Sequence, residues 1–332
     1  MRTLTTLAFL LTAACGASPA PSTTPATTPA TTQVAATSPT SATNASGTAD
    51  GASTPASSAT GKGRYAKVNG LDLYYEVHGS GDGRPIVLLH GAFCTIEGCF
   101  GELVPALAEH RQVIAVEMQG HGRTADIDRP LRANLLASDI DALLESLSIP
   151  QADVLGYSMG SAVALQFVLD FPQRAGKVVL VSPSFNRAGA QPGLYDMMAK
   201  LEPEIFYNTP MHEGYAAVAP RPEDFPRLVA RIKDWSKELQ DVPAAKIKAL
   251  PHSFLLVAGD GDMSRPEHVI ELFRLVGGGH STDMTGPGRS QLAILPNTSH
   301  YGIVSKQKEL ATITNAFLDA APAAALPPQP AK

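Results

Sequence analysis

Five residues, Gly156-Tyr157-Ser158-Met159-Gly160, constrain this chain more than any other stretch. They follow the mostly apolar segment Ala152 to Leu155 and precede Ser161 to Phe171, whose apolar residues have helical spacing. A chain that swings abruptly from a buried strand into a helix crowds the residues two before and two after its apex, and glycine relieves that clash. The apex serine is then held up above the sheet edge. The N–H groups and dipole of the helix lie beneath it and favour developing negative charge. The five-residue pattern alone also occurs by chance in loops. Its place between a strand and a helix makes Ser158 a candidate nucleophile.

The surrounding sequence supplies the sheet such a turn requires. Tyr65 to Val68 and Leu71 to His78 read as a hairpin, because Asn69-Gly70 provides the positive-φ turn. Then come short apolar runs at 86–89, 113–116, 154–155, 178–181, 254–257 and 292–295, the mark of strands buried on both faces. Amphipathic helices are expected at 102–110, 133–147, 161–170, 267–275 and 308–318. This alternation predicts an α/β fold, a mostly parallel sheet with helices on both faces. Residues 185–250 interrupt it and read as a mainly helical cap insertion. Ligands of open α/β sheets bind beyond the carboxyl ends of the strands, where such a cap forms a roof. Tyr195, Met198, Phe206 and Tyr207 of the insertion, with Tyr157 beside the turn, are therefore candidate substrate-binding residues. Packing among the insertion's own helices is the competing reading.

The ends of the chain differ in composition. Residues 1–14, one arginine and a short apolar run, read as a signal peptide. The run ends Leu11-Thr12-Ala13-Ala14-Cys15-Gly16, similar to the bacterial lipobox, so Cys15 is a candidate lipidation site; Thr12 departs from that pattern. Residues 15–62 are almost wholly Ala, Ser, Thr, Pro and Gly and cannot bury a core, which predicts a disordered tether. The folded domain is expected over 63–319, followed by a disordered tail at 320–332. These features predict export, to a bacterial cell envelope or by secretion, with membrane contact only through the lipid anchor. The net charge of −5 and the dispersed Lys and Arg residues argue against a nucleic-acid partner.

An alcohol is a weak nucleophile near neutral pH, so Ser158 needs a base and the base needs an orienting acid. Of nine histidines, His300 alone follows a predicted strand and its turn just before the last helix. Two carboxylates, Asp260 and Asp262, follow the strand at 254–257. Asp262 lies further along the loop and is the favoured acid; Asp260, beside glycine, suits holding the turn. For an oxyanion hole, the amide of Met159 directly follows the nucleophile. The second donor is expected in His90-Gly91-Ala92-Phe93, with Ala92 first and Phe93 second. His90 and His121 suit positioning roles. No metal cluster or phosphate-binding loop is evident, and no cofactor is expected.

With Leu88-Leu89-His90-Gly91, Gln119-Gly120-His121-Gly122-Arg123-Thr124, the serine turn, Gly259-Asp260-Gly261-Asp262 and Ser299-His300 in this order, the chain resembles the α/β-hydrolase superfamily of esterases, lipases and cofactor-free haloperoxidase-like enzymes. Glu117, where relatives commonly have aspartate, and Thr124, where they often have serine, depart from that pattern. The resemblance implies a serine hydrolase acting on a small carboxylic ester through Ser158, His300 and Asp262. Lactone or carbon–carbon bond hydrolysis, perhydrolysis, or a non-catalytic binding protein on the same scaffold are the alternatives, because fold does not choose the reaction. Cys94 and Cys99 follow the oxyanion loop. In an exported protein they invite a disulfide, and two buried thiols are the equal alternative.

Overall fold

The computed structural model describes residues 63–321 except 82, 240 and 287. The signal segment, Cys15, the tether and residues 322–332 lie outside the described residues. Eight strands form one sheet: β1 (Arg64–Val68), β2 (Leu71–His78), β3 (Ile86–Leu89), β4 (Val113–Val116), β5 (Ala152–Tyr157), β6 (Ala175–Val181), β7 (Phe254–Gly261) and β8 (Gln291–Ser299). Their spatial order is β1-β2-β4-β3-β5-β6-β7-β8. β1 and β2 form the antiparallel hairpin, turning at Asn69 (φ 48°) and Gly70 (φ 84°), and β2 pairs antiparallel with β4. From β4 to β8 every neighbouring pair is parallel.

The apolar runs end up between two layers of helices, α1 (Ile96–Phe100), α2 (Leu103–Ala108), α3 (Ala133–Ser146) and α4 (Met159–Asp170) being the first four. Strand side chains alternate between two cores. Ile86 and Leu88 pack with α1 and α2, whereas Val87 and Leu89 pack with α3 and α4. All four are fully buried, each worth about 2 kcal/mol of apolar transfer. That double burial is why no polar alternation marks these strands in the sequence.

The insertion between β6 and β7 contains α5 (Leu194–Ala199), α6 (Pro210–Val218), α7 (Phe225–Glu238) and α8 (Ala244–Lys248). Its longest helix, α7, buries Phe225, Leu228, Val229, Ile232 and Trp235, three to four residues apart, on the core of the α3 and α4 side. On its outer face Arg227 and Arg231 both donate to Asp126 Oδ2, and Asp234 meets Arg132 at 3.2 Å. The cap is thus fixed to the loop after β4. The chain closes with α9 (Pro266–Leu275), α10 (Thr282–Thr285) and α11 (Gln307–Asp319) around β8.

Several elements differ from expectation, among them the last strand and the first helix. The last strand does not stop at Leu295 but continues to Ser299, because the Asp260 carboxylate accepts the N–H groups of Asn297 (2.8 Å) and Thr298 (2.9 Å) and holds the turn-like residues against β7. Helix α1 has no sequence forecast. It is one short turn held by Thr95, whose hydroxyl accepts from Gly98 N, and by Glu117, which accepts from Ile96 N.

Candidate active site

The turn after β5 places Ser158 at φ 54° and ψ −113°, a left-handed conformation that costs a non-glycine residue free energy. The strand next door holds it there: Ser158 N donates to Val181 O at 2.9 Å. The flanking glycines are required by contact. A Cβ on Gly156 would sit 2.1 Å from Gly160 O, and one on Gly160 would sit 2.0 Å from Leu89 O. No side chain caps α4, so its first amides stay available beneath the serine.

His300 follows β8 directly and brings Nε2 to 2.9 Å from Ser158 Oγ. Its Nδ1 lies 2.7 Å from Asp262 Oδ1. A carboxylate at Nδ1 fixes the proton there, leaving the Nε2 lone pair toward the serine hydroxyl. Burial raises the Asp262 carboxyl's pKa; the hydrogen bond and charge of His300, the Ser182 hydroxyl and the Gly259 N–H pull it down, and the net shift is downward. Asp262 therefore stays ionised. Ser182 Oγ donates to Asp262 Oδ2 at 2.6 Å, and Met263 N to Oδ1 at 2.7 Å. The Tyr157 hydroxyl donates to the backbone oxygen of His300 at 2.9 Å, holding the histidine loop. Of the competing pair, Asp262 meets the histidine and Asp260 secures the turn.

The loop after β3 crosses over the serine: a Cβ on Gly91 would lie 3.4 Å from Ser158 Cβ. Phe93 stands at φ 61°, and the Ala92 and Phe93 amides donate to no acceptor among the described residues. With Met159 at the start of α4, they are the amides on hand for an oxyanion. His90 secures this loop. Its Nε2 accepts from Met118 N at 3.0 Å, so its Nδ1–H donates to Gly91 O at 2.7 Å. The His121 ring packs 4.9 Å from it. Burial lowers the pKa of His90 to about 3 and of His121 to about 4, so both are neutral.

Two cavities meet at Ser158 and His300. One, of about 140 Å³, is walled by Tyr157, Phe93, Met197, Phe206, Met211 and Met198. The other, of about 130 Å³, is walled by Tyr195, Met198, Ser182, Ile232, Trp235 and Leu239. Tyr157, Tyr195, Met198 and Phe206 thus line the site; Tyr207 does not. Tyr207 is 40% exposed and packs edge-on against His212 at 4.9 Å, because the turn that sends Phe206 inward sends its neighbour out. Cys94 and Cys99 form a disulfide with Cα atoms 6.0 Å apart, and Cys94 borders the first cavity. Met197, Met211 and Trp235, also among the aromatics and methionines that the sequence offers in the insertion, line the cavities as well, whereas the sequence reading missed Ser182. The signal for Ser182 was its place at the end of β6, beside the strand that carries Asp262.

The sequence matches the alpha/beta hydrolase family over residues 86–313, well over half the chain. The protein belongs to this family. This alpha/beta hydrolase is similar to 2-hydroxymuconate semialdehyde hydrolase of Pseudomonas sp. (strain CF600), 26% identical over 283 residues that cover 75% of the chain and 92% of the relative. Its fold is similar to that of a meta-cleavage product hydrolase from Pseudomonas fluorescens IP01 (TM-score 0.62, 19% identity, 78% of this chain and 97% of that one). It is also similar to that of the enol-lactonase from Burkholderia xenovorans LB400 (TM-score 0.58, 18% identity, 77% and 100%).

Proposed function

We propose that this alpha/beta hydrolase is a serine hydrolase that cleaves an uncharged carboxylic ester through an acyl-enzyme. The observation that carries the reading is the unbroken chain from Ser158 Oγ through His300 to Asp262, with hydrogen bonds of 2.9 and 2.7 Å. In the first step Ser158 Oγ bonds to the ester carbonyl carbon while His300 Nε2 takes its proton. The amides of Met159 and of Ala92 or Phe93 take the oxyanion. His300 then gives the proton to the departing alkoxide, and the alcohol leaves. Water, deprotonated by His300, attacks the acyl-serine; the carboxylic acid leaves and Ser158 regains its proton. Asp262 keeps the imidazolium oriented throughout.

Charge separates an ester from the substrate in the relative's name. A semialdehyde of muconate carries a carboxylate, and a buried carboxylate needs a cation or several donors. Among the described residues no Lys, Arg, Asp or Glu lines either cavity, which supports a neutral substrate. Hydrolysis of a carbon–carbon bond or a lactone at the same serine is the second reading, favoured by the similarity to 2-hydroxymuconate semialdehyde hydrolase over 92% of that protein. The disulfide between Cys94 and Cys99 suits an oxidising compartment and supports the proposed export. A lipid anchor at Cys15 is part of the same proposal.

The test is a panel of short p-nitrophenyl esters, lactones and dienoate ketones. The proposal expects turnover of the esters, with Ser158→Ala lowering kcat at least about 10⁴-fold and leaving the circular dichroism spectrum unchanged. Retained turnover in that variant sinks the nucleophile. Turnover of the ketones alone transfers the assignment to the second reading.

A further inference from the structure

The second cavity ends at a wall with another cleft behind it. Ala162, Ser184, Trp235 and Leu239 border both the 130 Å³ cavity at Ser158 and a cleft of about 410 Å³ between α3, α4 and the end of α7. Ser158 and His300 face only the inner side, whereas Arg132 and Asp170 face only the outer side. Four side chains thus separate the reacting atoms from a space about three times as large. Trp235 is the biggest of the four and is 8% exposed. The helix that carries it is pinned: Arg227 and Arg231 reach Asp126, Asp234 meets Arg132, and Arg187 donates to the Ser236 carbonyl beside it. The wall is a fixed part of the fold.

We propose that Trp235 sets the length of substrate chain this hydrolase accepts on one side of the scissile bond, by closing the inner cavity against the cleft. The inference rests on the ester reading of Ser158. A cavity of about 150 Å³ holds one benzene, so the inner cavity takes a group of about six heavy atoms. Removing the indole joins it to the cleft, and a longer chain then runs through. The uncharged inner walls select an apolar group near Ser158, while Arg132 and Asp170 beyond the wall tolerate a polar end.

The test uses the full chain and two straight-chain series: p-nitrophenyl esters of acids from acetate to dodecanoate, and acetates of alcohols from ethanol to dodecanol. In the wild type, kcat/KM falls in one series once the chain exceeds about six carbons. Trp235→Ala, and to a lesser extent Leu239→Ala, raises the long-to-short ratio of kcat/KM at least tenfold in that series and leaves the other series' ratio within twofold. If neither ratio moves, or both rise together, the wall does not set length.

A readout without cavity-enlarging variants guards against misfolding. The chain has one tryptophan, so its emission reports this wall alone. In Ser158→Ala, ω-bromoalkyl acetates and ω-bromoalkanoate esters should quench that emission at least twofold in one series only, most strongly when bromine reaches the wall. No quenching at any length overturns the proposal. If the wild type cleaves no ester, the reading of Ser158 fails instead, and quenching by the same bromo-esters still decides whether Trp235 ends the cavity.

Discussion

Ser158 is held in a conformation it would not choose, and its neighbours are chosen to keep it there. Gly156 and Gly160 leave no space for a Cβ, and the Val181 carbonyl takes the serine amide. The histidines next to this turn show the same division between holding and reacting. His300 reaches Ser158, while His90 and His121 are buried neutral supports of the loops at 91–93 and 119–122. That neutrality has a pH consequence. Burial lowers the folded-state pKa of His90 to about 3 and of His121 to about 4; burial and Arg265 lower that of His268 to about 4; all three are about 6.5 when unfolded. The unfolded chain therefore binds more protons between pH 6.5 and 4. Their contribution is complete above pH 6.5 and is lost as pH falls through that window, at about 1.4 kcal/mol per pH unit for each histidine. Urea midpoints should fall accordingly from pH 6.5 to 4.5, with His121→Gln showing a shallower decline. A flat wild-type profile would show that these rings are not held neutral.

At the scale of elements, the sequence did not disclose the helix that borders the loop at 91–93. Helix α1 spans five residues, too short for periodicity to mark. What makes it helical is the short-range Cys94–Cys99 bond and Thr95 cap together with one tertiary contact, buried Glu117, whose pKa burial pushes up to about 7 despite Arg123. Glu117, the departure from the usual aspartate, is long enough to reach Ile96 N. The disulfide should fix Phe93 as well as stabilise the fold. Cys94→Ser/Cys99→Ser is expected to lose about 2 kcal/mol of stability, the entropy of a six-residue loop. Its kcat should fall about tenfold with KM nearly unchanged, since an oxyanion donor acts mainly in the transition state. Unaltered kcat in the stable, disulfide-free variant would remove the bond from the site and leave it structural.

At the scale of the whole molecule, what could be read from the sequence followed how local its cause is. The parallel strands were legible because double burial leaves unbroken apolar runs such as Ile86-Val87-Leu88-Leu89, and the serine turn because its glycines answer a local clash. Asp262 could be preferred over Asp260 from loop position alone. Ser182, Trp235 and the exposure of Tyr207 depend on which strands and helices become neighbours, and no local pattern encodes that. The cap lies over the strand ends and leaves two small, uncharged cavities that meet at one serine and one histidine. The proposed reaction requires that serine to form a bond. A fluorophosphonate added to the full chain, followed by intact-mass and peptide mapping, measures this directly. One adduct per chain is expected, on Ser158, absent from Ser158→Ala and slowed at least about a hundredfold in His300→Ala. An unlabelled chain, or an adduct on another residue with esterase activity intact, contradicts it.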